Sequence, residues 1–290
     1  MLRKLGIVAG CGVIALLLIV LALRPSSAAG PCNVINGPAT LPDLPEASGL
    51  ALSRRSPGVI WSHNDSGNFA VLFALDSSGQ VLGRVRAPVN LRDWEDISIG
   101  HCSPGDCLYL AAIGDNKAAR REIQIYRVPE PKPGDTETGP AELFTATYDD
   151  GPHNAEAMFV IGADMFVITR DRTGRVYRSL PAFPGRSEIS LERVGQLGLE
   201  VVSDAEATPD EKSVVVRNSD EAVFYWTADL LHGELKPYLR IPIDGLREHQ
   251  GEGVAVDAKG MLYLASEGIG LWRGAGRLVS LSCKLPEGPL

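Results

Sequence analysis

The sequence lacks several features that would place it in a well-known class of protein. It has no Lys/Arg-rich block, and its 36 acidic residues outnumber its 28 basic ones. Proteins that bind nucleic acid through its phosphates need the opposite balance, so nucleic acid is excluded as a partner. No Gly-x-Ser-x-Gly motif is present, which leaves an α/β-hydrolase mechanism without its nucleophile. The five histidines are not spaced as metal ligands on a helix, and no glycine-rich loop precedes a helix to hold phosphate.

Turn-forming residues, in contrast, are abundant. The 290 residues include 31 Gly and 20 Pro, more than a helix bundle tolerates. Hydrophobic residues make up 44% of the chain and charged residues 22%, which is close to the globular average and argues against disorder along its whole length. The composition therefore predicts a turn-rich, all-β protein.

The first 29 residues have the pattern of an export signal. Arg3 and Lys4 precede an apolar run over residues 5–23, and Ser27-Ala28-Ala29 offers a cleavage site made of small residues. The run is close to the roughly 20 residues that cross a bilayer, so cleavage and retention as a membrane anchor both remain open. In either case the body of the protein is expected to be exported, and to be secreted or anchored to the outer face of the cytoplasmic membrane.

Four cysteines follow this segment, and an even number in an oxidising compartment predicts two disulfides. Cys102 and Cys107 bracket the turn sequence Ser-Pro-Gly-Asp, so a disulfide between them would close a hairpin. Cys32 and Cys283 would then join the two ends of the fold. Zinc binding is the weaker alternative, because no histidine lies at ligand spacing near these cysteines.

A short polar signal recurs along the chain at intervals of 46 to 61 residues, beginning at Ser48, Glu95, Glu156, Glu206 and Glu252. Each copy is followed by an apolar run that ends in a polar cluster. Four short strands per unit of about 40 to 60 residues are typical of a β-propeller blade. A β-sandwich is the competing all-β fold, but it does not explain why the same glutamate returns at blade spacing.

The predicted fold is therefore an all-β propeller, preceded by the hydrophobic signal or anchor segment. The count favours five four-stranded blades, and the length of the second unit leaves room for a sixth. Residues 30–45 are expected to form a linker that could supply a ring-closing strand. The predicted organisation is a signal or anchor over residues 1–29, this linker over residues 30–45 and one propeller domain over residues 46–290. A monomer is expected.

The repeated glutamates are the candidate metal ligands. The innermost strand of each blade lines the central channel, so Glu95, Glu156, Glu206 and Glu252 are predicted to face one another there. Carboxylates held this close need bound cations, basic partners or raised pKa values. Oxygen-rich sites of this kind suit Ca²⁺. The alternative is structural, with each glutamate accepting hydrogen bonds from backbone N–H groups between blades.

Side chains at the strand ends around the channel mouth are the candidate ligand-binding residues. They comprise loop acids, one amide and two arginines that could act as internal counter-ions: Asp65, Asp93, Asp115, Asn116, Arg170 and Arg217. The acids and the amide also lie in sequences that favour turns by themselves. His63 and His153 are expected near the same mouth, where either is a candidate acid–base group. The mouth is predicted to bind a small molecule or a protein.

Four motifs resemble those of exported bacterial propellers of the phytase-like, or esterase-like-of-phytase, group. They are Asn64-Asp65-Ser66-Gly67, Asp93-Trp94-Glu95-Asp96-Ile97, Ile113-Gly114-Asp115-Asn116 and Asn154-Ala155-Glu156-Ala157. The resemblance covers most of residues 46–270. It implies calcium bound by acidic channel residues, which here are the four repeated glutamates with Asp115 nearby.

Two functions follow as expectations. The first is a calcium-binding propeller with a small-ligand site, in which metal-activated water could hydrolyse a phosphoester. The second is a non-catalytic scaffold that presents a blade face or rim to another protein of the cell envelope. The two expectations share the fold and differ in what the acidic residues do.

Overall fold

The structure is a computed structural model, which describes residues 30–65, 67, 69–180, 187–268 and 274–288. The predicted signal or anchor over residues 1–29 lies outside this part of the chain. About 50% of the model is strand and 3% is helix, so the predicted all-β class is confirmed. In the described residues, no helix is both long and apolar enough to span a membrane.

The strands of the described chain form four sheets, and they group into antiparallel meanders of four. The first strand, β1 (Cys32–Leu41), belongs to the last of these meanders. The first meander contains β2 (Ala51–Leu52), β3 (Ile60–Ser62), β4 (Val71–Leu75) and β5 (Val81–Arg86). The second contains β6 (Asp96–His101), β7 (Asp106–Ala112), β8 (Ile123–Pro129) and β9 (Glu142–Tyr148).

The remaining strands repeat this pattern. The third meander contains β10 (Ala155–Ile161), β11 (Asp164–Thr169), β12 (Arg175–Leu180) and β13 (Glu188–Gln196). The fourth contains β14 (Asp204–Ala207), β15 (Ser213–Arg217), β16 (Glu221–Trp226) and β17 (Leu239–Pro242), with the helix α1 (Thr227–Leu231) and a 3₁₀ turn at Asp244–Leu246. The fifth contains β18 (Gly251–Val256), β19 (Met261–Ser266), β20 (Gly276–Cys283) and β1, which pairs antiparallel with β20.

The first strands of the meanders pack in a cycle. β2 contacts β6, β6 contacts β10, and the series continues through β14 and β18 back to β2. The second and third meanders also share one eight-stranded sheet, because their last strands, β9 and β13, pair in parallel. The edge strands of that sheet, β6 and β10, contact each other, so the sheet is nearly closed. The fold is β-propeller-like, with the first strands at its centre.

The sequence of each strand explains its place in this arrangement. The first strands are buried along almost their whole length, as in Ala155–Ile161 and Gly251–Val256. A last strand such as Glu188–Gln196 begins with alternating exposed and buried residues. A continuous apolar run is typical of a strand covered on both faces, whereas alternation is typical of a strand with one wet face.

The hydrophobic core is divided among the seams between neighbouring meanders. Each seam has its own buried cluster, with side chains from both meanders. Representative pairs, in order around the cycle, are Trp61 and Leu108, Tyr109 and Val160, Phe159 and Val216, Phe224 and Leu264, and Leu278 and Ile60. The fifth meander packs on the first in the same way, so each meander has two neighbours.

The structure contains both predicted disulfides. Cys102 and Cys107 are joined across the hairpin between β6 and β7. Cys32 and Cys283 face each other in the register of β1 and β20 and are joined over a sequence separation of 251 residues. Two disulfides in a chain of this size point to an oxidising, extracytoplasmic environment.

Candidate functional site

A polar cavity of about 220 Å³ lies where the first strands begin and the second strands end. Its lining contains five carboxylates, two amides, one hydroxyl and one guanidinium: Asp65, Glu95, Glu156, Glu252, Glu267, Asn116, Gln250, Ser48 and Arg170. Six of the ten predicted metal- and ligand-binding residues are in this set. We refer to it below as the acidic cavity.

Backbone irregularities aim two of the glutamates into the cavity. The pairing of β10 with β11 shifts register between Ala155 and Ala157, and the pairing of β18 with β19 shifts between Gly251 and Gly253. Glu156 and Glu252 occupy the shifted positions. A β-bulge leaves one residue out of the ladder and redirects its side chain, which is why such residues often lie at functional sites.

Glu95 reaches the cavity from the residue before β6, and a glycine makes room for its carboxyl group. A Cβ atom on Gly114 would overlap Glu95 Oε1 and would lie 2.8 Å from Asp93 Cγ. Asp93 itself has a left-handed backbone, with φ 59°. Glu95 is 7% exposed, and no described residue donates a hydrogen bond to its carboxyl group.

Burial and crowding keep a proton on Glu95. Burial, together with the negative charges of Asp65 and Glu156, raises the pKa of Glu95 to about 10. Burial also raises the pKa of Glu267 to about 7, with Glu252 adding to the effect. The free cavity therefore holds protons at neutral pH because it lacks enough positive charge to balance its carboxylates.

Arg170 supplies the positive charge in the lining. It follows β11, and its Nη1 contacts Glu156 Oε2 and lies 3.4 Å from Glu252 Oε2. Burial raises the pKa of Glu156 and the nearby guanidinium lowers it, with a net rise to about 7. Burial likewise raises the pKa of Glu252. One guanidinium thus contacts two of the five carboxylates of the lining.

Two further carboxyl groups, those of Asp96 and Asp204, lie at the start of β6 and β14. Both are fully buried, and they form a hydrogen bond with each other. Burial raises the pKa of both groups, and such a bond requires a proton on one of them. Their oxygens also accept backbone N–H bonds from neighbouring strand positions, namely Ile97, Met158, Leu50 and Val254.

Glu206 is not part of the acidic cavity, which corrects its grouping with the other three glutamates. In the second meander Glu95 directly precedes Asp96, and in the fourth Ser203 directly precedes Asp204. The N–H groups of Glu95 and Ser203 each donate to the second strand of their own meander over 3.0 Å, so these positions are equivalent. Glu206 lies three residues further along and is 1% exposed. Its Oε1 accepts the N–H of Ile99 over 3.4 Å, which is the structural role left open above.

Arg217 is also absent from the cavity lining. Its side chain is fully buried and donates to the carbonyl oxygens of Asn218, Gly253 and Ala265 over 3.1 to 3.3 Å. It forms an ion pair with Glu248 at 2.7 Å. Arg217 therefore ties the fourth meander to the fifth. Its ion pair is with Glu248, and its positive charge also acts to lower the pKa of Glu252.

Asp93 and Asp115 lie beside the cavity and not in its lining. Asp115 Oδ2 accepts the N–H groups of Ala119 and Arg120, both over 2.6 Å. The backbone N–H of Asp115 donates to the side chain of Asn154, also over 2.6 Å. These bonds order the turn that carries Asn116 into the cavity.

Sequence reasoning missed three lining residues, although the signals were present. Ser48 opens the first copy of the recurring signal and donates a hydrogen bond to the Glu95 carbonyl over 2.7 Å. Gln250 is the polar residue before Glu252, and Glu267 ends the apolar run of the last unit. Each belongs to the repeat. Ser48 and Gln250 were omitted because only the glutamate of the recurring signal was taken as a metal ligand, and Glu267 was omitted although strand-end residues of the other units were included.

The two histidines expected at the mouth differ in their surroundings. His63 is fully buried and stacks on Trp94, with ring centroids 3.8 Å apart and planes 5° apart. Burial lowers the pKa of His63 to about 3. His153 Nε2 lies 2.6 Å from Asp150 Oδ1, and its other ring nitrogen lies 3.2 Å from Arg175. Neither histidine belongs to the lining of the acidic cavity.

The donor types of the cavity fit Ca²⁺, whereas their present arrangement does not enclose an ion. Carboxylate and amide oxygens are the ligands that Ca²⁺ takes in proteins. Within the described ranges, no group of three or more His, Cys, Asp and Glu side chains is placed to hold a metal ion. The contacts of Arg170 with Glu156 and Glu252 account for part of this.

Comparison with known proteins shows a fold and no family. No family model matches the chain, and no curated protein matches it. The solved structure of a glucose dehydrogenase is similar to this chain, with 10% identity and a TM-score of 0.50. The similarity covers 83% of this chain and 98% of that chain. At that identity the likeness concerns the fold alone, and it supports a β-propeller-type fold.

Two other solved structures are similar at lower TM-scores. A 6-phosphogluconolactonase-like protein from Bacteroides uniformis is 15% identical, with 85% of this chain and 70% of that chain covered and a TM-score of 0.44. Hydrazine synthase from Kuenenia stuttgartiensis is 14% identical, with 79% of this chain covered and a TM-score of 0.38. The chain spans 58% of the length of that hydrazine synthase chain.

Proposed function

We propose that this chain is an exported, five-bladed β-propeller whose acidic cavity binds a small cation, with Ca²⁺ as the first candidate. The five meanders and the cyclic packing of their first strands support the blade count. On this proposal the eight-stranded sheet is two blades whose outermost strands pair. The strand β1 completes the fifth blade from the opposite end of the chain. The disulfides and the pattern of residues 1–29 support export.

The charge imbalance of the cavity is the observation that carries the proposed binding function. Five carboxylates and one guanidinium line about 220 Å³. An acidic cluster alone would be weak support, because carboxylates can be satisfied by backbone donors. Glu95 is different, since the residue is only 7% exposed at the cavity wall and its carboxyl group receives no hydrogen bond from the described residues. A bound cation would replace the proton that Glu95 holds in the free protein.

The neutral groups of the lining extend the proposal to a second ligand. Asn116 and Gln250 contribute amides beside the carboxylates, so an oxygen-rich small molecule could hydrogen-bond next to the cation. Phosphoester hydrolysis of the phytase-like kind is the activity we propose to test there. A bound Ca²⁺ would supply positive charge for such a ligand, and the chain itself supplies the hydrogen-bonding groups that orient it.

A non-catalytic scaffold at the cell envelope is the alternative function. In that case the cavity carboxylates are structural, and cations should not affect stability. Thermal unfolding of the purified protein in excess Ca²⁺ and in excess chelator separates the two functions. At a hundredfold excess over Kd, ligand binding adds about 2.7 kcal/mol to stability, which is about 5 to 10 °C for a domain of this size.

A matched pair of variants makes the test specific. Glu95→Gln combined with Glu252→Gln removes two carboxylates from the cavity and should abolish the calcium-dependent shift. Glu234→Gln changes an exposed glutamate outside the cavity and should retain it. An equal melting temperature of the unmodified protein in calcium and in chelator would contradict the proposal and favour the scaffold. Screening phosphoesters with and without calcium then tests for turnover.

A further inference from the structure

Arg170 is the sole basic side chain in the described lining of the acidic cavity. Its base is fixed, because its backbone N–H donates to the carbonyl oxygen of Asn154 over 3.0 Å. Its guanidinium reaches across the cavity to carboxylates on two different first strands. Glu156 lies on β10 and Glu252 on β18, and β14 lies between these strands in the cycle.

The fourth meander leaves space for this reach. Ser203 occupies the position there that Glu95 occupies in the second meander. Ser203 is not in the described lining of the cavity, and its hydroxyl donates to the carbonyl oxygen of Gly251 over 2.7 Å. The guanidinium therefore passes β14, none of whose residues belongs to the described lining of the cavity.

The three charged partners differ in how freely they can move. The side chain of Arg170 is 27% exposed, whereas those of Glu156 and Glu252 are 11% and 8% exposed. Both glutamates are held at bulges in buried strands. Arg170 has a long side chain with access to solvent, so it can leave the carboxylates while they remain in place.

We infer that Arg170 is a built-in competitor for the cavity, occupying the position between Glu156 and Glu252 that a bound cation would take. This inference rests on the proposed cation-binding function. A monovalent cation that displaces the guanidinium places the same single positive charge between the two carboxylates. A divalent cation places twice that charge there. Because any cation must first displace the guanidinium, Arg170 lowers the affinity of the cavity for monovalent and divalent cations by the same factor.

The opposite role, in which Arg170 anchors an anionic ligand, fits the surroundings less well. Its Nη1 already contacts two carboxylates, and an incoming anion would meet the negative charges of the other lining acids. The two roles make opposite predictions for cation affinity when the positive charge is removed. This makes substitution of Arg170 a decisive test.

The test is isothermal titration of Ca²⁺ into the unmodified protein, Arg170→Gln and Arg172→Gln, at about pH 8. Arg172 is an exposed arginine two residues away, so its substitution changes the net charge equally without touching the cavity. We expect Arg170→Gln to bind Ca²⁺ at least about tenfold more tightly, equivalent to about 1.4 kcal/mol. Arg172→Gln should stay within about threefold of the unmodified protein, because solvent screens a surface charge.

A third variant guards against a folding defect. Arg170→Lys keeps a positive charge on a flexible side chain and is expected to resemble the unmodified protein in Ca²⁺ affinity to within about threefold. Circular dichroism of each variant verifies the fold. Calcium affinity of Arg170→Gln equal to or weaker than that of Arg172→Gln would overturn the competitor role.

The outcomes also separate this inference from the proposed function. If the unmodified protein binds Ca²⁺ and Arg170→Gln binds it no more tightly, the competitor role fails and the cation site stands. If neither protein binds Ca²⁺, the proposed function itself fails.

Discussion

Replacing His63 by phenylalanine should make the fold markedly less sensitive to acid. The imidazole of His63 is fully buried and stacks on Trp94, and its Nδ1 lies 3.0 Å from the carbonyl oxygen of Asn64. Burial lowers the pKa of His63 from 6.5 to about 3. Phenylalanine keeps a flat ring against Trp94 and removes the group that titrates.

The sign and size of the effect follow from linkage. The unfolded chain binds a proton at His63 below pH 6.5, whereas the folded protein does not bind it until about pH 3. The contribution of neutral His63 to stability is therefore complete above pH 6.5 and is lost as the pH falls toward 3. At about pH 4 the loss corresponds to two and a half pKa units, or about 3 kcal/mol.

Urea unfolding of both proteins at pH 7, 6, 5 and 4 measures this loss as a difference. The buried carboxyl groups of Glu95, Glu156 and Glu206 have raised pKa values, so acid stabilises the fold through them. They are present in both proteins and cancel when the free energies of unfolding are subtracted. His249→Phe, at an exposed histidine, controls for the substitution itself.

The expected result is a difference between the two proteins that shifts by about 3 kcal/mol in favour of His63→Phe on going from pH 7 to 4. A difference that stays constant within about 1 kcal/mol over that range would refute the reasoning. It would mean that His63 accepts a proton in the folded protein and that the stack on Trp94 opens to water.

Two pairs of variants test the centre and the closure of the fold. Asp204→Asn should lower the free energy of unfolding by less than about 1 kcal/mol, because Oδ2 keeps its two backbone N–H bonds and the new amide donates to Asp96. Asp96→Asn should lower it by about 1 to 3 kcal/mol, because both oxygens of Asp96 accept backbone N–H groups. Equal losses in urea unfolding would contradict this difference in hydrogen bonding. Replacing Cys32 and Cys283 by serine should cost about 5 kcal/mol in the chain-entropy model, because that disulfide closes a separation of 251 residues. Removing the hairpin disulfide, with a separation of 5 residues, should cost about 2 kcal/mol, and the reverse order in melting experiments would contradict the ring-closing role of the longer one.

The sequence predicted the class of the fold and the disulfides because both depend on local or countable features. Turn residues and short apolar runs produce antiparallel meanders whatever their final packing. The even number of cysteines and the turn between Cys102 and Cys107 were sufficient for the pairing. The parallel contact of β9 with β13, in contrast, joins strands of two different meanders, and no repeat signal marks it.

The site was predicted in part, and the error at Glu206 shows the limit. The letter pattern aligned Glu206 with Glu95, but strand register depends on which backbone groups pair, and Ser203 is the equivalent residue. Asp96 and Asp204 were not singled out at all. Each follows the true repeat position by one residue, and a buried aspartate is distinguishable from a surface one only when the strand around it is known to be covered on both faces.

The contrast between the aspartate pair and the cavity glutamates explains why ligand binding is expected in the acidic cavity and not at Asp96 and Asp204. Asp96 and Asp204 lie beside strand backbone that still has N–H groups to donate, and those donors with one shared proton satisfy both. The cavity lies where the strands begin, and the described backbone donates nothing to the Glu95 carboxyl group there. Protons, Arg170 and a cation from solution are three ways to balance carboxylates in that position. With protons and Arg170 alone, Glu95 is neutral and Arg170 is shared between two acids. A bound cation therefore gives the state in which every carboxylate of the cavity could be ionised at once.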